Sequence, residues 1–366
     1  MSNPKAPIAP GSTIGIIGGG QLGRMTATAA AELGYRVHVF TPDKNGPTEQ
    51  VCDRATIAAY DDQDAIEAFG QAVDVVTFEF ENVPAETVRH LEALVPVRPS
   101  WECLAVAQDR VQEKNFCNKL GIETAPWKAV NSVKELADAM REIGVPSILK
   151  TTRLGYDGKG QVRIKADTVP AQAWEELGGA PGILEGFVDF ELEVSVITAR
   201  NASGQMKSYD VVENRHKDGI LDVTIAPADI PAILADQARQ VGRTLVEALD
   251  LVGLLAVELF ITKDGHVLVN EMAPRPHNSG HWSQNGCATS QFEQFVRAVT
   301  NLPLGSAARH SDTVMKNLLG DDANHWEHHL SDPANKLHLY GKAEVKAGRK
   351  MGHINRLYDK DSQPKG

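Results

Sequence analysis

The chain has 366 residues, of which 42% are apolar and 23% charged, an ordinary soluble composition with room for two or three domains. Its formal net charge of -11 weighs against nucleic acid and anionic membrane as partners, while leaving room for local basic sites that hold a phosphorylated small molecule. Four scattered cysteines, Cys52, Cys103, Cys117 and Cys287, give neither a disulfide framework nor a zinc spacing and point to a reducing, cytoplasmic setting.

The opening MSNPKAPIAPGS reads as a short disordered lead, neither signal peptide nor anchor, and no later segment has the apolar length a bilayer requires. From Thr13 the pattern runs strand (TIGIIG), glycine turn, helix (Gln21 to Leu33) and strand (YRVHVF), which predicts a doubly wound α/β unit. A strand over Asp74 to Phe80, a helix started by Pro84, a short strand in VPVRPS and a helical stretch from Trp101 to Leu120 complete it. Gly121 is the natural stop, so residues 1–120 form the first expected domain. Residues 121–188 read as a small α+β lobe with one helix (Ser132 to Ile143) and the glycine-rich hairpin RLGYDGKGQVRIK. Residues 189–305 are strand-dominated, with helices at Pro231 to Leu249 and Ser290 to Thr300. Residues 306–366 carry a strand-turn-strand pattern that suggests a small C-terminal sheet. HWEHH (His325 to His329) has no ligand spacing and is expected at the surface.

Gly18 to Gly23 fits G-x-G-x-x-G between strand and helix, with Asp43 placed like a ribose acid, which invites a nicotinamide dehydrogenase reading. Amides at such a turn accept any phosphate or anion, so a phosphate-ester substrate, or bare helix packing, serves equally well. Gly155 to Gln161 (GYDGKGQ) has the makings of a mobile lid whose amides and Lys159 close over phosphates. Lys150 ends an apolar strand and wants an anion. The strand ILEGFV ends in carboxylate and leads to Glu191 and Glu193, which could serve a purine and its ribose or lie at a solvated edge.

Leu254 to Pro276 is the most informative segment. A two-residue turn at Asp264-Gly265 would set Val267 opposite Thr262, Val269 opposite Phe260 and Glu271 opposite Glu258. Facing carboxylates destabilise a ladder unless a cation lies between them or one stays protonated, and hard oxygen ligands of this kind suit Mg²⁺. A solvent-facing hairpin with two unrelated acids is the competing reading.

Taken in order, the glycine loop, Lys150, ILEGFV, Glu258 and Asn270-Glu271 resemble the ATP-grasp ligases. GIIGGGQLGRM, VTFEFENVP, AQDRVQEKNF, KTTRLGYDGKGQ, VENRHKDGI, VNEMAPRPHNSGHW and LYGK are similar, nearly end to end, to the N5-carboxyaminoimidazole ribonucleotide synthetase family. The resemblance implies an ATP-grasp architecture, mixed α/β and α+β, with a Rossmann-like N-terminal domain and a small β-rich C-terminal one. It implies ATP and Mg²⁺ (or Mn²⁺) as cofactors, bicarbonate and aminoimidazole ribonucleotide as substrates, and a homodimer.

Carried over, Arg110 and Lys150 would contact nucleotide phosphates under a lid of Gly155, Tyr156, Asp157, Gly158, Lys159, Gly160 and Gln161. Glu185, Gly186, Phe187 and Val188 would hold adenine, Glu193 the ribose, and Glu258 and Glu271 the metal beside Asn270. The ribonucleotide would touch Gln21, Leu22, Glu79, Tyr156 and Asn278, with its phosphate on Lys342, Arg349 and Lys350. His216, Arg275 and His277 would lie near bicarbonate, and Asp157 or Glu79 would help remove the amine proton. Lys159 stands where the family commonly has arginine, which keeps the charge and loses a bidentate fork. A formate-using glycinamide ribonucleotide transformylase is the near alternative; Asn278, where that enzyme would carry an acid, favours carboxylation.

Overall fold

Short apolar runs spaced by helices with small buried faces build the first part of the chain. The computed structural model describes residues 6–155, 160–362 and 364. Strands β1 (Thr13–Ile17), β2 (Arg36–Thr41), β3 (Arg54–Ile57) and β4 (Val75–Phe78) form a parallel sheet in the order β3-β2-β1-β4. Helices α1 (Gln21–Glu32), α2 (Gln63–Gln71) and α3 (Ala85–Glu92) connect and cover it. VPVRPS contributes only a single bridge, Val76 to Val97.

The expected long helix is two, α4 (Trp101–Gln108) and α5 (Arg110–Lys119). Asp109 breaks it: its backbone is extended, and its carboxylate accepts from the Val111 and Gln112 amides as an N-cap.

The small lobe holds β5 (Trp127–Val130), α6 (Val133–Ile143), β6 (Ser147–Thr151), β7 (Gln161–Ile164), α7 (Pro170–Glu176) and β8 (Gly182–Gly186), with sheet order β5-β8-β6-β7. Beyond it come β9 (Phe190–Arg200), β10 (Met206–Ser208), β11 (Val212–Lys217), β12 (Ile220–Ala226), α8 (Ala232–Ala248), β13 (Gly253–Thr262), β14 (Val267–Ala273), α9 (Ser283–Gly286) and α10 (Gln291–Val299). The last elements are β15 (Asp312–Leu319), α11 (Trp326–Leu330), β16 (Asn335–Leu339) and β17 (Lys350–Tyr358). These three strands do not make a sheet of their own. They extend one nine-stranded sheet, β14-β13-β9-β11-β12-β15-β17-β16, with β10 paired to β9. The reason lies in β15, which pairs with β12 as well as β17 and so leaves no free edge between them.

One core cluster joins the first domain to the large-sheet part, while the small lobe has a core of its own. Phe292 and Val296 of α10 and Tyr340, before β17, pack with Leu22, Met25 and Ala30 of α1, so the α1 face is buried against the large sheet's helix.

The hairpin β13/β14 departs from its predicted register in two ways. Its loop has three residues, because the Thr262 amide donates to the His266 carbonyl (3.0 Å) and Gly265 takes φ +85°. Val267 therefore faces Ile261, and Val269 faces Leu259, one residue off expectation. A bulge beside Asn270 then shifts the register back, and Glu258 does face Glu271.

Candidate functional site

The sheets converge on a cleft of about 680 Å³ whose floor is the Glu258/Glu271 pair. Burial acts against the Glu271 charge, but Arg110 and Lys150 outweigh it and hold that carboxyl below its ordinary range. At Glu258 burial and then the Glu271 charge both act upward, to about 8. Arg110 Nη1 lies 3.2 Å from Glu271, and His277 Nε2 lies 3.4 Å from Glu258. Burial and then Arg275 press His277 well below its usual value, so it is a neutral ring.

Two facing acids in one cleft, one carboxyl held up and the other held down, fit a divalent ion. Among the described residues no three His, Cys, Asp or Glu side chains group around a metal position. An ion here would thus take one or two carboxylates and complete its shell with water and phosphate oxygens, which is the habit of Mg²⁺.

Lys150 on β6 reaches Glu185 on β8 (2.8 Å) because the two strands pair with Ile148 opposite Glu185. Burial opposes the Glu185 charge; Lys150 and Lys114 overcome it and hold the carboxyl down at about 2. Its Oε1 is buried without a hydrogen-bond partner, so one acceptor stands ready. Across the cleft His216 pairs with Glu193. Burial works against the imidazolium, but the Glu193 hydrogen bond and charge prevail and raise its pKa.

At the other wall, the α1 amides that G-x-G-x-x-G supplies already have a partner. Glu79 accepts from Gly20 N–H (2.6 Å) through one oxygen and Gly23 N–H (3.1 Å) through the other. A Cβ on Gly20 would lie 2.5 Å from Glu79 Oε1, so the glycine is needed for the carboxylate's approach. The dehydrogenase reading fails here, because the pyrophosphate position is filled from within. Arg275 pairs with the half-buried Glu81 (2.7 Å). Asn278 has both side-chain polar atoms buried and unpartnered at the cleft wall, a donor and an acceptor that a ligand can satisfy.

Of the residues expected from sequence, Gln21, Leu22, Glu79, Arg110, Lys150, Gly155, Gly160, Gln161, Phe187, Glu193, His216, Glu258, Asn270, Glu271, Arg275, His277, Asn278 and Lys350 line this one cleft. Tyr156, Asp157, Gly158 and Lys159 lie outside the described residues. Glu185 stands behind Lys150, and Gly186 gives its amide to the Pro126 carbonyl. Val188 is absent from the lining. Of the basic trio, Lys350 lines the cleft, Lys342 lies beside it with its Nζ donating to the Lys350 carbonyl (2.7 Å), and Arg349 donates to the Glu344 carbonyl (3.0 Å).

Sequence reasoning missed Glu81, Arg153, Phe190 and Phe260. Glu81 follows Glu79 by two but lies beyond the end of β4 at Phe78, where strand alternation gives no guide to its direction. Arg153 donates to Gln108 Oε1 (2.6 Å). Phe190 and Phe260 stack with centroids 4.7 Å apart, an apolar floor foreshadowed only by aromatics on two strands.

Three family models match the chain: a ribonucleotide synthetase preATP-grasp domain over residues 12–108, an ATP-grasp domain over 115–292, and a phosphoribosylaminoimidazole carboxylase C-terminal domain over 313–365. An N5-carboxyaminoimidazole ribonucleotide synthase of Brucella melitensis is 51% identical over 355 residues, covering 96% of this chain and 98% of that protein. The ADP complex of an N5-carboxyaminoimidazole ribonucleotide synthetase superposes with a TM-score of 0.94 at 46% identity, covering 96% and 94% of the two chains. An Aspergillus clavatus enzyme in complex with ADP and 5-aminoimidazole ribonucleotide gives 0.88 at 30% identity, over 95% and 94%.

Proposed function

The chain belongs to the N5-carboxyaminoimidazole ribonucleotide synthase family, ATP-dependent ligases of purine biosynthesis with an ATP-grasp fold, and from that premise we propose how its cleft divides the chemistry. Bicarbonate oxygen attacks the γ-phosphorus of ATP, the bond to the β-phosphate oxygen breaks, and carboxyphosphate and ADP result. Carboxyphosphate then gives CO₂ and phosphate, and the exocyclic amine of aminoimidazole ribonucleotide takes up CO₂ and loses a proton.

The chain's part is placement and charge, which dominate phosphoryl transfer. Arg110 and Lys150 hold phosphate oxygens, and Glu185 keeps Lys150 charged and aimed. Phe187 and the Phe190/Phe260 stack receive the base, with Glu193 toward the ribose. Glu258 and Glu271, with Asn270 beside them, would hold Mg²⁺ on the nucleotide, where the ion supplies charge neutralisation at the transferred phosphoryl group. His216, Arg275 and neutral His277 orient bicarbonate, and Lys159 on the lid adds charge over the phosphates. The ribonucleotide lies along Gln21, Leu22, Glu79, Tyr156 and Asn278, its phosphate toward Lys350, Lys342 and Arg349. Asp157 or Glu79 accepts the amine proton. A homodimer in the cytoplasm is the working assembly we propose, to be checked by sedimentation.

The facing Glu258/Glu271 pair, flanked by Arg110 and Lys150, carries this reading. ADP release should require bicarbonate and aminoimidazole ribonucleotide and should not follow from formate with glycinamide ribonucleotide. Glu271→Gln should abolish ADP release at wild-type circular dichroism; full turnover by that variant would sink the metal assignment.

A further inference from the structure

Strand β14 is the edge of the nine-stranded sheet, and beyond one parallel bridge, Val269 to Thr124 with the Val269 amide on the Glu123 carbonyl (2.9 Å), its outer edge at the cleft is not covered by a strand. One face of α5 takes that place. Lys114 Nζ donates to the Val269 carbonyl (3.2 Å) and the Asn270 carbonyl (2.6 Å), while Glu113 Oε1 accepts from the Met272 amide (2.6 Å). Arg110, one turn earlier on the same face, meets the Glu271 carboxylate itself. Glu113 is 2% exposed and Lys114 0%, so both are embedded where apolar side chains would be the less demanding choice.

The contacts bracket the bulge. Without it the register from Ile261/Val267 would run on to set Asn270 opposite Glu258, and a one-residue slip turns Glu271 to the other face. We propose that Lys114 and Glu113 are positioning residues of the reaction: they hold the Asn270 bulge and thereby set Glu271 across from Glu258 on the cleft side.

This rests on the metal reading above, and the test separates the two. Binding of Mn²⁺·ADP is followed by water-proton relaxation in the wild type, Glu271→Gln, Lys114→Met and the double variant Glu113→Gln/Lys114→Met. Lys114→Met is expected to weaken Mn²⁺·ADP about tenfold or more, as loss of an outer partner of a metal ligand commonly does, and to raise the KM for ATP. The KM for aminoimidazole ribonucleotide should stay within about twofold, since no contact of Lys114 reaches that wall. The double variant removes the unpaired buried acid, so it should recover the melting temperature lost in Lys114→Met without recovering Mn²⁺·ADP binding. Unchanged Mn²⁺·ADP affinity in both Lys114 variants, or equal weakening toward both substrates, would overturn the positioning role. Full Mn²⁺·ADP binding by Glu271→Gln would overturn the metal reading and this inference with it.

Discussion

Replacing Glu258 by Gln should make the metal-free protein more stable while destroying its activity. Glu258 is raised from 4.5 to about 8 by burial and by Glu271. A carboxyl raised in the folded state contributes fully below its unfolded pKa, and that contribution is lost as pH climbs through the folded value. Across the interval the wild type should therefore lose about 1.4 kcal/mol per pH unit from this one group, which Gln never loses. The accumulated difference is about 3 kcal/mol at pH 7 and about 5 kcal/mol above pH 8. Urea denaturation in EDTA at several pH values from acid to mildly alkaline measures it by circular dichroism. Saturating Mg²⁺ should close the gap by stabilising only the wild type. A difference that is flat with pH, or a variant less stable than wild type at neutrality, would refute the account of the pair as a strained cation site.

Lys150→Met leaves Glu185 buried without its partner and should cost about 3 kcal/mol at neutral pH, besides raising the KM for ATP. The Glu185 carboxyl is held at about 2 by that lysine, so the stability at stake is present above its unfolded pKa and fades as acid approaches pH 2; urea melts at falling pH follow it. Lys342→Ala should chiefly raise the KM for the ribonucleotide with kcat little changed, and an unchanged KM would remove Lys342 from the phosphate site.

Much of the site is legible because its chemistry is local in sequence: the glycine turn, the lysine at a strand end, and acids on two strands joined by one turn. What escaped detection depends on geometry that no short window contains. The Glu258/Glu271 match was anticipated from a two-residue turn, yet it arises from a three-residue loop and a compensating bulge. Periodicity does not reveal Asp109 as a break, because α5 is largely polar and carries only Val111, Phe116 and Cys117 as apolar positions; the signal is an N-capping acid. Strand β3 and helices α2 and α7 carry no long apolar run that marks them in the sequence. Glu113 and Lys114 look like ordinary helix-surface charges, and only their tertiary contacts with β14 reveal them as interior.

Glu79 gives the first glycine turn a different significance for protein engineering. Conversion of this scaffold into a dinucleotide carrier would have to begin at position 79, since the resident carboxylate must leave before any pyrophosphate can take the Gly20 and Gly23 amides. A fingerprint search that scores glycines alone will therefore misassign chains of this kind, and a glutamate after the fourth strand is the discriminator to add.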